Sequence, residues 1–265
     1  MKKAIFFDID GTLIDCPKGI NEISPRVKKS IKTLQNEGNY VFIATGRPYA
    51  FIYKELLDFG FDGFVLTNGA QVIVKNKAIY KQQINKNFVK KLIYDLEKFD
   101  IQYILQGEIY SYIKEKYREL YSYYDSFYIP RKYIKSEYNI EDIATYKIEM
   151  LCKNKEGTDY CLSLENEEYD YIHNSSPNVF EFYSKKDTKA SGIIKVLEHL
   201  NIPINNSYAF GDGKNDIEML KTVGCGIAMG NAGDEVKNYA KEITDEVEND
   251  GIAVGIEKFI LDKSI

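Results

Sequence analysis

Polar and apolar positions fall into blocks along the first 66 residues. Ala4–Phe7 is a continuous apolar run ended by Asp8. A strand with one wet face would alternate, so a continuous run predicts a strand buried on both faces. Ser24 and Pro25 then read as a helix N-cap and a first-turn proline. Val27, Ile31 and Leu34 follow at helical spacing, and Gly38 stands where the helix would stop. Tyr40–Ala44 is a second apolar run, ending at Thr45-Gly46-Arg47-Pro48. The pattern next predicts a helix to about Asp58 and a strand over Gly63–Leu66. Strands alternating with helices imply a parallel sheet with right-handed crossovers.

The pattern changes near Tyr80. Residues 80–184 hold 17 of the 22 tyrosines and mix helical with strand signals. Turn-like residues stand close to both ends, Lys75-Asn76 before it and Asn174-Ser175-Ser176-Pro177 near its close. Strand-helix alternation then resumes: a helix near 188–200, a strand at 208–210, a helix through Met219-Leu220, a strand at Cys225–Ala228, and helices near 236–240 and 253–261. The predicted organisation is therefore an α/β core of residues 1–79 and 186–265, with a second α/β domain inserted at 80–185. No internal repeat or low-complexity segment interrupts it.

Composition narrows the partners. The chain is 44% hydrophobic and 28% charged, as expected of a soluble globular protein, and long enough for two apolar cores. A formal charge of −5 argues against nucleic-acid binding, which needs a basic face, but permits a local anion pocket. The apolar start resembles a signal peptide only until Asp8, and no run is long enough to span a bilayer, so a cytoplasmic protein without a membrane partner is expected. Cys16, Cys152, Cys161 and Cys225 form no Cys-x-x-Cys pair and read as ordinary thiols.

Four short segments carry candidate chemistry. Asp8-Ile9-Asp10-Gly11-Thr12 places two carboxylates at the carboxyl end of a buried strand, where open parallel sheets bind ligands. Thr45-Gly46-Arg47 offers a hydroxyl, a glycine amide and a guanidinium, all suited to phosphoryl oxygens. Lys189 stands at the start of a helix, where an acid is the commoner residue. Gly211-Asp212-Gly213-Lys214-Asn215-Asp216 is a further acidic loop after a strand. Each alone has an ordinary reading as a turn, a loop, a surface charge or a helix cap. His173 and His199 read as surface residues.

In this order the segments resemble the haloacid dehalogenase superfamily, and within it the Cof-type phosphatases with a type IIB cap between the second and third motifs. Asn68-Gly69-Ala70, the stretch Ala228-Met229-Gly230-Asn231-Ala232 and Asn249-Asp250-Gly251 extend the likeness over nearly the whole chain. One feature departs: the family lysine is followed by glycine, whereas Ala190 follows Lys189 and the glycine comes at Gly192. The apolar spacing of the helix still selects Lys189 over Lys185 and Lys186.

The resemblance implies a Rossmann-like core and a phosphatase acting on a small phosphorylated metabolite. It implies Asp8 as nucleophile, forming a phosphoaspartate, and Asp10 as general acid and base. Thr45, Gly46 and Lys189 would hold the phosphoryl oxygens, with Arg47 and Asn215 supporting either phosphate or loop geometry. Mg2+ would lie against the Asp8 carboxylate, the Asp10 carbonyl and the Asp212 carboxylate, with Asp216 nearby. A phosphomutase and a regulatory phospho-acceptor are the alternatives on the same chemistry.

Overall fold

The computed structural model describes residues 2–261; the outermost residues of the predicted core, 1 and 262–265, lie outside them. In chain order the strands are β1 (Ala4–Phe7), β2 (Tyr40–Ala44), β3 (Gly63–Leu66), β4 (Gln71–Val74), β5 (Lys77–Lys81), β6 (Gln102–Gln106), β7 (Ser111–Ile113), β8 (Ile134–Lys135), β9 (Lys147–Leu151), β10 (Tyr169–Ser175), β11 (Asn178–Ser184), β12 (Ser207–Gly211), β13 (Cys225–Ala228) and β14 (Glu242–Ile243). The helices are α1 (Pro25–Asn36), α2 (Lys54–Asp58), α3 (Lys86–Lys98), α4 (Arg118–Ser126), α5 (Lys155–Leu162), α6 (Lys189–Leu200), α7 (Ile217–Thr222), α8 (Asp234–Lys237) and α9 (Gly251–Gly255). The described residues form two compact units: residues 2–46, 55–80 and 188–261, and residues 47–54 with 81–187.

The first unit is built on a sheet of order β14-β13-β12-β1-β2-β3-β4-β5. Pairing is parallel from β14 through β3. Every residue of β1 is fully buried, as a strand covered on both faces requires. Its phenylalanines serve opposite faces: Phe6 stacks on Phe42 and Phe7 on Phe210, at 5.2 and 5.3 Å between centroids. Chain order runs from β1 toward β3 on one side and from β12 toward β14 on the other. The reversal lies between β1 and β12, the point where such sheets bind ligands.

Two helices show how the sequence fixes this unit. The Ser24 hydroxyl accepts the Val27 N–H at 3.2 Å, and Val27, Ile31 and Leu34 are buried on one side of α1. α6 opens with a reciprocal cap between Thr188 and Ser191. Gly192 lets α6 lie against the sheet, since a Cβ there would meet Val65 Cγ1 at 2.5 Å. Gly192 thus has a packing role in α6.

Several elements differ from expectation. β4 and β5 form a hairpin, and β4 pairs antiparallel with β3, so the sheet is not wholly parallel. Lys75 and Asn76, with φ of 48° and 62°, are its two-residue turn, and a turn with both residues left-handed matches the twist of the strands. The helix predicted up to Asp58 is two pieces, a 3-10 turn at Tyr49–Phe51 and α2, because Ile52 is extended. α8 ends at Lys237, short of Ala240, and the last helix begins at Gly251 and widens into a π turn over Ile256–Ile260.

The second unit has a sheet of order β10-β11-β9-β6-β7-β8, antiparallel except for the β7–β8 pair. Some of its many tyrosines join an otherwise largely aliphatic core. Tyr103, Tyr117, Tyr124, Tyr146 and Tyr169 are buried. Buried phenols need partners, and Tyr103 donates to Glu97 at 3.0 Å while Tyr124 donates to Glu149 at 2.5 Å. Burial and the neighbouring Glu149 carboxylate push the Tyr124 phenol up. Residues 47–54 join this unit because Ala50 and Phe51 enter its apolar cluster, with Phe51 4.9 Å from the Tyr124 ring. No helix among the described residues is long and apolar enough to cross a membrane.

Candidate active site

Three adjacent strands of the first unit, β12, β1 and β2, are followed directly by Asp212, Asp8 and Thr45 respectively. Asp8 continues β1, and its N–H donates to Phe210 O at 3.0 Å. The chain then turns on itself: Leu13 and Ile14 donate to Ile9 O at 2.9 and 3.0 Å, and Gly11 donates to Ile14 O at 2.7 Å. Gly11 has φ 77°, and a Cβ there would lie 2.2 Å from Asp212 Oδ2. Only glycine satisfies both the left-handed backbone and the carboxylate passing beside it.

Lys189, the first residue of α6, is 1% exposed. Its ammonium donates to Asp8 Oδ1 at 2.5 Å and to Asp216 Oδ1 at 2.6 Å. The other oxygen of Asp216 accepts the N–H groups of Asp212 and Gly213, at 3.0 and 2.9 Å. Asp216 is fully buried with both oxygens engaged, so it fixes the shape of the loop as well as the lysine. Lys185 is instead paired with Glu165 at 2.9 Å in the second unit.

Carboxylate oxygens of Asp8, Asp212 and Asp216 lie within 4.8 Å of one another. Three carboxylates against one ammonium leave a formal charge of −2. Burial raises the Asp8 carboxyl well above its usual range against the pull of Lys189, and Asp216 and Asp10 raise it further. Burial likewise pushes Asp212 up to about 6, against a hydrogen bond from Thr12. Burial opposes the charge on Lys189, but Asp216 and Asp8 outweigh it and the ammonium is held charged. Such a pocket is short of positive charge. Its hard oxygen donors fit a divalent ion of the magnesium type, with Asp8 and Asp212 less enclosed than the fully buried Asp216.

The remaining residues fall in different places. Asp10 is exposed to solvent. Thr45 is 1% exposed, its N–H donates to Val65 O at 2.9 Å, and Gly46 follows it. Asn215 is exposed, with Oδ1 2.7 Å from where a Cβ of Gly213 would stand. Arg47 belongs to the second unit, where its guanidinium donates to Phe51 O at 3.0 Å and to Tyr53 OH at 3.3 Å and lies 4.7 Å over the Tyr53 ring. His173 stacks on Phe180 at 4.0 Å, and both it and His199 are exposed.

Two contributors had no role assigned from sequence. Thr12 donates to Asp212 Oδ1 at 2.9 Å, tying the first loop to the fourth. Asn231 donates to Gly11 O at 2.8 Å and accepts the Val247 N–H at 3.2 Å. Both stand in stretches quoted above, but only their tertiary partners reveal what they do.

Comparison with known proteins gives a consistent picture. The haloacid dehalogenase-like hydrolase profile matches residues 5–256. A putative phosphatase of Bacillus subtilis strain 168, YkrA, is 32% identical over 97% of each chain. A second protein of that organism, named as a 5-amino-6-(5-phospho-D-ribitylamino)uracil phosphatase, is 30% identical over 98% of this chain and 96% of its own. Among solved structures, a subclass IIB sugar phosphatase superposes with a TM-score of 0.80 at 28% identity, covering 97% of this chain and 99% of its own.

Proposed function

The chain belongs to the haloacid dehalogenase-like hydrolase family, and on that premise we propose that it hydrolyses small phosphate monoesters through a phosphoaspartate on Asp8. The observation that carries this reading is the Asp8–Lys189–Asp216 ion triad beside Asp212, at the reversal point of the sheet. Relatives named for a sugar phosphatase and for a ribitylamino-uracil phosphatase support a phosphorylated polyol or sugar as substrate class.

The Asp8 carboxylate attacks phosphorus in line, and the P–O bond to the alcohol breaks. Asp10, exposed two residues on, donates its proton to the departing oxygen. The same carboxylate then takes a proton from the water that cleaves the phosphoaspartate, releasing phosphate and restoring Asp8. Lys189, the Thr45 hydroxyl and the Gly46 amide hold the phosphoryl oxygens as charge shifts onto them. Asp8, Asp212 and the Asp10 carbonyl, with Asp216 nearby, would hold Mg2+, which supplies positive charge to a dianionic ester approaching a carboxylate.

A phosphate-release screen across phosphorylated metabolites with Mg2+ tests the proposal. Release from at least one polyol or sugar phosphate is expected, abolished by chelation and restored by Mg2+. Full activity in metal-stripped protein, or no release from any ester, refutes it.

A further inference from the structure

The turn after β3 has no part in the scheme above, yet it is the most strained backbone of the first unit. Thr67, Asn68 and Gly69 hold φ of 49°, 54° and 99°, three successive residues in the left-handed region. Such strain persists where the surroundings enforce it, and it clusters where ligands are held. Two neighbours enforce it here. The Asn68 N–H donates to Thr45 O at 3.1 Å. Gly69 lies so close to the chain before Lys189 that a Cβ would stand 2.1 Å from Thr188 O. The turn is therefore wedged between the Thr45-Gly46 loop and the root of the lysine.

The Asn68 side chain lies over Gly46, where an added Cβ would be 3.0 Å from Oδ1. The side chain is buried, and Oδ1 has no hydrogen-bond partner among the described residues. A buried carbonyl without a donor is unfavourable, and native structures hold few. Backbone geometry alone does not explain the residue, because glycine adopts this φ without a side chain to bury. An acceptor at this position matches an O–H, not the phosphoryl oxygens, which are themselves acceptors.

We propose that Asn68 is a substrate-contacting residue whose Oδ1 accepts a hydrogen bond from an O–H at the phosphoryl end of the substrate. That O–H belongs either to the alcohol portion of the ester or to the attacking water. The inference rests on the phosphatase reading of the Asp8 site.

Asn68→Gly separates side chain from backbone, since it removes the amide and keeps the left-handed turn free of strain. Its thermal midpoint is expected near that of the parent, while kcat/KM falls about tenfold or more. Asn68→Ala, which adds backbone strain, loses thermal stability as well. A fall on polyol phosphates but not on p-nitrophenyl phosphate assigns the contact to a substrate hydroxyl. An equal fall on both, with slowed breakdown of the phosphoenzyme, assigns it to water. Asn68→Gly with parental kcat/KM on both substrates overturns the inference. Monohydrogen phosphate carries one O–H, so calorimetry with inorganic phosphate and Mg2+ gives a readout that needs no turnover. If the parent hydrolyses no ester yet binds phosphate at least tenfold more tightly than Asn68→Gly, the catalytic reading fails and the contact stands. Equal phosphate affinities together with parental kcat/KM on polyol phosphates sink the contact.

Discussion

Replacing Lys189 by methionine should separate stability from catalysis. The ammonium is 1% exposed and contacts Asp8 at 2.5 Å and Asp216 at 2.6 Å. Removing one partner of a buried ion pair costs about 3–5 kcal/mol, because the charge left behind has neither water nor a counter-ion. Here two carboxylates lose the same cation, so the upper end of that range applies to metal-free protein. For a chain of this size each kcal/mol moves the midpoint by about 2–4 °C, which gives a loss of roughly 10–20 °C. Part of the cost is relieved if a proton binds, since Asp8 already takes one up more readily than an ordinary aspartate. The loss should therefore be larger at pH 8 than at pH 5.5. Mg2+ should restore much of the lost stability by supplying charge to the same carboxylates, and should restore none of the phosphate release. The assay is thermal unfolding of both proteins with chelator and with Mg2+, beside phosphate release. An unchanged midpoint in chelator, or parental turnover with Mg2+, would refute the reasoning.

Asp10→Asn should give a burst of nitrophenolate from p-nitrophenyl phosphate and then turn over about 10²–10⁴-fold more slowly, with one added phosphoryl group on Asp8 by mass; Asp8→Asn should show neither. Gly11→Ala should weaken Mg2+ binding measured by calorimetry, because its methyl group would occupy the place of the Asp212 carboxylate, 2.2 Å away; unchanged affinity would mean that Asp212 is no ligand. In metal-free protein the folded state holds a proton on Asp212 up to about pH 6, whereas an unfolded aspartate releases it near 3.8. The folded state binds more protons in that window, so this contribution to stability is lost as pH rises from about 4 to 6. Saturating Mg2+ should remove the dependence; denaturant midpoints that follow pH identically with and without the ion would refute it.

The parts legible in the sequence were those governed by local rules. β1, β2 and β3 are continuous apolar runs, and α1 and α6 carry a cap and an apolar stripe, so periodicity alone located them. Asp8, Asp212 and Lys189 were singled out by their places at strand ends and a helix start together with the order of the four segments, and the structure brings their side chains together. The β4–β5 hairpin was missed because its turn was read as a domain boundary. The roles of Thr12, Asn231 and Asn68 depend on partners far away in the chain, which spacing does not encode. Arg47 shows the same limit: the residues that decide its surroundings are Ala50 and Phe51, whose burial among the tyrosines of the second unit has no periodic signal.

The membership of residues 47–54 in the second unit bears on how this enzyme can be recombined. The chain passes between its two units four times, at 46/47, 54/55, 80/81 and 187/188. The second unit is therefore not a cassette with one entrance and one exit. A chimera that exchanges only 81–187 keeps the native Ala50 and Phe51 and asks a foreign core to accept them, while the donor's own matching residues stay behind. A faithful transplant moves two segments together, and the shorter begins at Arg47, one bond beyond Gly46. Inheritance should obey the same arithmetic: a crossover within 55–80 separates the two pieces, so recombinants broken there should survive selection less often than those broken within 188–261.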